Sequence, residues 1–266
     1  MTQKNDHSVI LEVCANSITS ALAAQDGGAA RVQLCENLYE GGTTPSYGEI
    51  MMARKLLHVK LSVLIRPRGG DFLYTPLEFE VMAADVRNCI EAGCDGIAIG
   101  ILNPDGTIDK RRCTELIRMA KQWGVSVTFN RAFDMCSDLC QGMEDIIEMG
   151  CERILTSGGK STAMEGASKI ARLIEKAAGR IIIMPGSGVN ELNVTDLVHF
   201  THATEVHSSA RGYLRSVMDY KNDAILMGSN YGDEYSVETT DIERVKAIVK
   251  LANVDNPETK LQKHTF

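Results

Sequence analysis

Long apolar runs are missing from this chain. Nowhere do roughly 18 consecutive apolar residues occur, so no membrane-spanning helix is expected. The stretch from Met1 to Ser8 is polar and lacks the apolar centre of a secretion signal. Proline is scarce, at 6 residues against 23 glycines, which excludes a proline-rich disordered chain and suggests many tight element ends. Positive charge is in deficit: 28 Lys and Arg face 35 Asp and Glu, a formal net charge of −7. A surface that grips nucleic acid non-specifically needs clustered Lys and Arg, so no nucleic-acid partner is expected. A local basic pocket for a small anion stays compatible with that total. Eight cysteines in 266 residues are too dilute for a disulfide framework. Cys35 and Cys89 fall inside predicted elements, as small reduced hydrophobes do. The Gly-x-Gly-x-x-Gly and Gly-Lys-Ser/Thr patterns are also absent, and no organic cofactor is expected. A cytoplasmic protein with neither membrane nor nucleic-acid partner fits these deficits.

What is present is alternation. Short apolar runs at 9–14, 30–35, 59–66, 96–100, 125–130, 153–156, 181–184 and 205–207 read as eight strands. Helical patterns separate them at about 17–27, 46–56, 76–92, 109–122, 141–149, 165–178 and 190–200, and an eighth follows at about 240–252. Strand, helix, strand at this spacing requires crossovers and therefore a mostly parallel sheet. Eight such units in this length predict a single-domain (β/α)₈ TIM-like barrel over residues 9–252, with a polar tail at 253–266. A weak repeat supports it: Gly28-Ala29-Ala30, Gly93-Cys94-Asp95 and Gly150-Cys151-Glu152 each end a helix just before a strand. Thr75-Pro76-Leu77-Glu78 and Thr240-Asp241-Ile242-Glu243 read as capping boxes at helix starts. One connection, 208–239, is abnormally long and lies on the C-terminal face, where barrels carry their sites.

Strand alternation divides polar from apolar faces. Glu12 and Cys14 share a face in the first strand, opposite Leu11 and Val13. Arg31, Gln33 and Cys35 oppose Val32 and Leu34; Arg66, Asn130, Glu205 and His207 fall on the corresponding faces of later strands. The uniformly apolar sets must face the helices, so the polar sets face the barrel axis. Buried charges there must pair with each other or meet water or ligand. Either a structural ion network or a functional site satisfies that requirement.

The loops after the strands add anion chemistry. Arg66, Arg68, Gly69 and Gly70 combine guanidinium forks with exposed backbone N–H groups. Arg131 follows the fifth strand, Ser157 and Gly158 the sixth, Gly186 and Gly188 the seventh, and Ser208 the eighth. The last two loops are where barrels frequently hold phosphate.

Together these segments resemble the CutC family of copper-homeostasis proteins over about residues 9–250. The resemblance rests on Leu11-Glu12-Val13-Cys14, the segment from Glu40 to Ser46, the segment from Arg66 to Phe72, Arg131-Ala132-Phe133-Asp134, Leu155-Thr156-Ser157-Gly158 and Glu205-Val206-His207. It implies a barrel, a cytoplasmic location, a homo-oligomer and a role in binding copper. The family pattern usually carries His before Arg-Ala-Phe-Asp; here Asn130 stands, which offers hydrogen bonds but no imidazole.

Three readings follow. In the first, Cys14 and Cys35, at the ends of adjacent predicted strands, bind copper as Cu(I), with His207 as a third ligand. Cys136 and Cys140 have a less specific spacing. In the second, the mouth belongs to an enzyme for a small anionic metabolite, phosphorylated or otherwise. There Arg66, Arg68 and Arg131 bind charge, and Glu12, Glu205 or His207 transfers protons. The third is a structural or regulatory barrel without turnover.

Overall fold

A computed structural model describes residues 8–222, 224, 225, 227 and 234–254. Eight parallel strands form the barrel wall: β1 (Ile10–Ala15), β2 (Arg31–Leu34), β3 (Lys60–Leu64), β4 (Gly96–Ile99), β5 (Ser126–Phe129), β6 (Arg153–Thr156), β7 (Ile182–Pro185) and β8 (Glu205–Ser208). Ladder pairing runs β7-β6-β5-β4-β3-β2-β1-β8. The two end strands, β7 and β8, lie side by side and leave the barrel nearly closed. Helices α1 (Ile18–Asp26), α2 (Tyr47–Leu56), α3 (Pro76–Glu91), α4 (Lys110–Lys121), α5 (Leu139–Met149), α6 (Ala167–Ala177), α7 (Val194–Thr201) and α8 (Ile242–Ala252) alternate with them. Among the described residues, no helix is long and apolar enough to cross a membrane.

The alternating faces separate two apolar clusters. Leu11, Val13, Val32, Leu34, Leu61, Val63, Val127, Phe129 and Val206 belong to the large core between strands and helices. Cys14, Cys35, Leu64 and Ala98 form a small second cluster on the inner side. Glu12, Arg31, Gln33, Ser62, Thr128 and Glu205 are buried on that inner side too. This is the division the strand patterns predict.

Local signals explain several boundaries. Thr75 Oγ1 accepts from Glu78 N and the Glu78 carboxylate accepts from Thr75 N, so the first capping box forms. Gly28, Gly93 and Gly150 have φ of 92°, 76° and 85°, the left-handed region that carries a steric cost for other residues. The second expected box does not form. Thr240 stays extended, paired with Arg211, and Asp241 caps α8 by accepting from Glu243 N and Arg244 N.

The long connection is also partly ordered. β9 (Arg211–Arg215) and β10 (Ser236–Thr240) pair as an antiparallel ribbon. Its middle, at 223, 226 and 228–233, lies outside the described residues, as does 255–266 of the expected tail. Asn253 is anchored: its Oδ1 accepts from Val9 N at 2.6 Å.

Candidate functional site at the barrel mouth

The floor of the site is a charge network built by register. β1 pairs with β8 so that Glu12 faces His207 and Ile10 faces Glu205, while Glu12 faces Arg31 across β2. Arg31 donates Nε–H to Glu12 and an Nη2 hydrogen to Glu205 at 2.5 Å. Arg153 Nε donates to the same Glu205 oxygen at 2.8 Å. The remaining Glu12 oxygen pairs with His207 Nδ1 at 2.8 Å and accepts from Gln33 Nε2 at 3.4 Å. Burial alone raises the Glu12 carboxyl, but the Arg31 charge and the His207 hydrogen bond outweigh it and hold the group at about 2. Thus Glu12 is a carboxylate locked in place and Glu205 is shared between two arginines.

Above this floor, Cys14 Sγ lies 3.2 Å from Cys35 Sγ. The Cys35 hydrogen bond lowers the Cys14 thiol against the effect of burial, and His207 adds to it, bringing Cys14 to about 6. Cys35 moves the opposite way, raised by that same hydrogen bond and by burial. Burial pulls the His207 imidazole down, but hydrogen bonds to Cys14 and Glu12 carry it up to about 9. These directions favour a proton on His207 rather than on Cys14.

A cavity of about 380 Å³ opens over Cys14 and His207. Among the described residues, four arginines line it (Arg66, Arg131, Arg211 and Arg244), and no Asp or Glu does. Three of them have a carboxylate partner outside the lining: Arg131 with Asp134 at 2.8 Å, Arg211 with Glu238 at 3.0 Å, and Arg244 with Glu191 at 3.1 Å. Arg66 differs. It is 4% exposed, and its terminal nitrogens donate to the carbonyls of Glu40, Gly42 and Gly70, so no carboxylate balances its charge among the described residues. Its Nε is buried without an acceptor there, and so is Nδ2 of Asn130, another lining residue. Asn130 Oδ1 is fixed by Ala132 N at 2.9 Å, which assigns Nδ2 as the free donor.

The expected anion-binding residues distribute unevenly around this cavity. Arg66, Arg131, Gly188 and Ser208 line it. Arg68 turns away to Glu78 and Asp71, at 2.6 and 3.0 Å. Gly69 packs against the Glu40 side chain, and Gly70 supplies its carbonyl to Arg66. The loop carrying Ser157 and Gly158 does wrap an anion, but that anion is the protein's own Asp134. Its oxygens accept from Ser157 N and Gly159 N at 3.0 Å and from Thr156 Oγ1 at 2.5 Å. Gly186 sits beneath the cavity, where an added Cβ would lie 3.2 Å from His207 Cβ. Arg244, in the first turn of α8, belongs to the lining without having been singled out by any sequence pattern.

For copper the fit is partial. Two sulfurs are adjacent, but His207 is committed to Glu12 as an imidazolium, and a ligand imidazole must be neutral. Among the described residues, no group of three or more His, Cys, Asp and Glu is placed to hold a metal ion.

Sequence comparison matches residues 9–212 to the CutC family profile. A family protein CutC of Chromobacterium violaceum is 48% identical over 239 residues, covering 90% of this chain and 96% of the relative. The copper homeostasis protein cutC homolog of Homo sapiens is 43% identical over 244 residues, covering 91% and 89%. Among solved structures, the putative copper homeostasis protein CutC of Streptococcus agalactiae superposes with a TM-score of 0.72 at 34% identity, covering 76% of this chain and 98% of that one. A thiamine phosphate pyrophosphorylase of Pyrococcus furiosus, at 14% identity and a TM-score of 0.56, shares the fold over 92% of this chain and 96% of its own.

Proposed function

This chain belongs to the CutC family, and from that premise we propose that it is an enzyme acting on a small anionic metabolite held at the barrel mouth. One observation carries the reading: Arg66 is a buried guanidinium on the cavity wall that has, among the described residues, no carboxylate partner and no acceptor for its Nε. An uncompensated buried charge is costly, and a bound carboxylate or phosphate would remove that cost. The three other arginines of the lining and the Asn130 amide favour the same charge. So do the turns after β7 and β8, the usual phosphate position in a barrel. All eight cysteines are free thiols, which suits the reducing cytosol in which we expect the protein to work.

The test is thermal unfolding in rising concentrations of inorganic phosphate and of succinate. At about 100 times its dissociation constant, a bound anion stabilises the fold by about 2.7 kcal/mol. Arg66→Met is expected to abolish the shift. Because Arg66 also ties three loop carbonyls together, Arg244→Met gives a second, less structural variant in which the shift should shrink. A parent indifferent to both anions overturns the reading.

A second reading has its own observation. The 3.2 Å pair of Cys14 and Cys35 sulfurs offers two soft donors to Cu(I), as cargo or as a bound ion. The self-association implied by the family resemblance we assign to the ribbon, where Tyr213, Leu214 and Val237 are all exposed.

A further inference from the structure

The anion cavity has a nucleophile in its floor. Cys14 lines the cavity and lies two residues beyond Glu12 in β1, so both side chains point inward. Glu12 faces His207 across the β1–β8 ladder and takes its Nδ1 at 2.8 Å. Cys14 and His207, on the paired strands β1 and β8, line the same cavity. With Nδ1 committed to Glu12, Nε2 is the nitrogen left for sulfur. Nucleophile, base and orienting carboxylate thus stand in series, the arrangement that activates a thiol for covalent chemistry. Cys35 supports the sulfur from the other side at 3.2 Å, and its own backbone N–H is fixed to Ala15 O at 2.9 Å. The two buried donors without acceptors, Arg66 Nε and Asn130 Nδ2, belong to the same cavity wall. Both residues border the space over the thiol.

We propose that Cys14 is a catalytic nucleophile toward a carbonyl carbon of an anionic substrate, with His207 its acid–base partner and Glu12 a positioning residue. This rests on the reading of the cavity as an anion site. With the thiol proton already on the His207 imidazole, the Cys14 sulfur bonds to the carbonyl carbon. The C=O π pair moves onto oxygen, and that oxygen takes the proton back from the imidazolium. The product is a covalent hemithioacetal-type adduct, formed without oxidant or metal, and reversal of the same steps releases it.

Alkylation tests this without knowledge of the substrate. Iodoacetate and iodoacetamide both form a C–S bond with loss of iodide, but only iodoacetate is an anion. On the whole protein, with peptide mapping by mass spectrometry, Cys14 should label ahead of the more exposed Cys136 and Cys140. Iodoacetate should react there about tenfold or more faster than iodoacetamide, as a positive cleft concentrates anions, and inorganic phosphate should slow it. His207→Asn should slow labelling of Cys14 by about fivefold or more with both reagents, by removing the activating partner. Labelling of Cys136 and Cys140 with Cys14 untouched overturns the nucleophile and leaves the anion cavity standing. Equal rates in the parent and a folded His207→Asn variant overturn the role of the imidazole. Fast labelling of Cys14 with no preference for iodoacetate and no effect of phosphate upholds the nucleophile and removes the anion reading instead.

Discussion

Replacing Glu12 by Gln should cost this barrel about 3–5 kcal/mol of stability, the range for removing one partner of a buried ion pair. The side chain is fully buried and accepts from Arg31, His207 and Gln33. Glutamine keeps one oxygen for His207 but turns an NH₂ toward the Arg31 guanidinium, donor against donor. A second route gives a similar size: a carboxyl held at about 2 against an ordinary 4.5 contributes about 3 kcal/mol at neutral pH. The sign follows from the depressed value. The contribution is complete above pH 4.5 and is lost as pH falls toward 2. Urea unfolding at pH 7 is the assay. With an m-value of about 3 kcal/mol/M, the midpoint should fall by about 1 M or more. Replacing both partners, as Glu12→Leu with Arg31→Met, should recover part of the loss because no unpaired charge remains on that side. A Glu12→Gln variant within about 0.5 kcal/mol of the parent, the range of ordinary surface changes, would refute this account of the floor.

Three further outcomes are expected. Gly186→Ala places a Cβ 2.5 Å from Leu155 Cδ1 and 3.2 Å from His207 Cβ; it should destabilise by about 1–3 kcal/mol, and an unchanged melting temperature in calorimetry would deny this close packing. In anaerobic Cu(I) competition titrations, the Cys14→Ser and Cys35→Ser double mutant should lose any tight site that the parent shows. Unchanged affinity and stoichiometry would eliminate the thiol pair as a copper site, and loss confined to Cys136→Ser or Cys140→Ser would move it. Leu214 and Val237 are cross-strand partners on the ribbon, so Leu214→Glu should convert a self-associated parent to monomer in sedimentation velocity. A monomeric parent, or an unaffected variant, would remove the ribbon from self-association.

The wall of the barrel was legible because its physics is local. Period-two alternation separates Glu12 and Cys14 from Leu11 and Val13 within one strand, and both faces sit where that alternation puts them. The ribbon was not legible: Arg211–Arg215 and Ser236–Thr240 are polar, half-exposed segments whose pairing depends on each other across some twenty residues. That pairing also moves the α8 cap from Thr240 to Asp241. Near the site, sequence finds arginines but not their acceptors. Arg66 and Arg68 are neighbours in one motif, yet one enters the cavity wall and the other closes on Glu78. Ser157 and Gly158 carry an anion-binding pattern, and only the fold shows that Asp134 occupies that loop, accepting from Ser157 N and Gly159 N. Arg244 lies in the first turn of a helix that reads as an ordinary amphipathic one, and the barrel's closure brings that turn to the mouth. The α7 start shifts for a similar reason: Asn190 uses its side chain to hold Leu192 N, and the helix begins only at Val194.

The central claim is that an anion completes the buried charge of Arg66. The most direct measurement is a crystal structure of the protein grown or soaked with inorganic phosphate. The account predicts a tetrahedral anion with an oxygen at about 2.7–3.1 Å from Arg66 Nε, within reach of Asn130 Nδ2 and above Cys14. A cavity that stays free of phosphate at saturating concentration, with Arg66 Nε still lacking an acceptor, would contradict it.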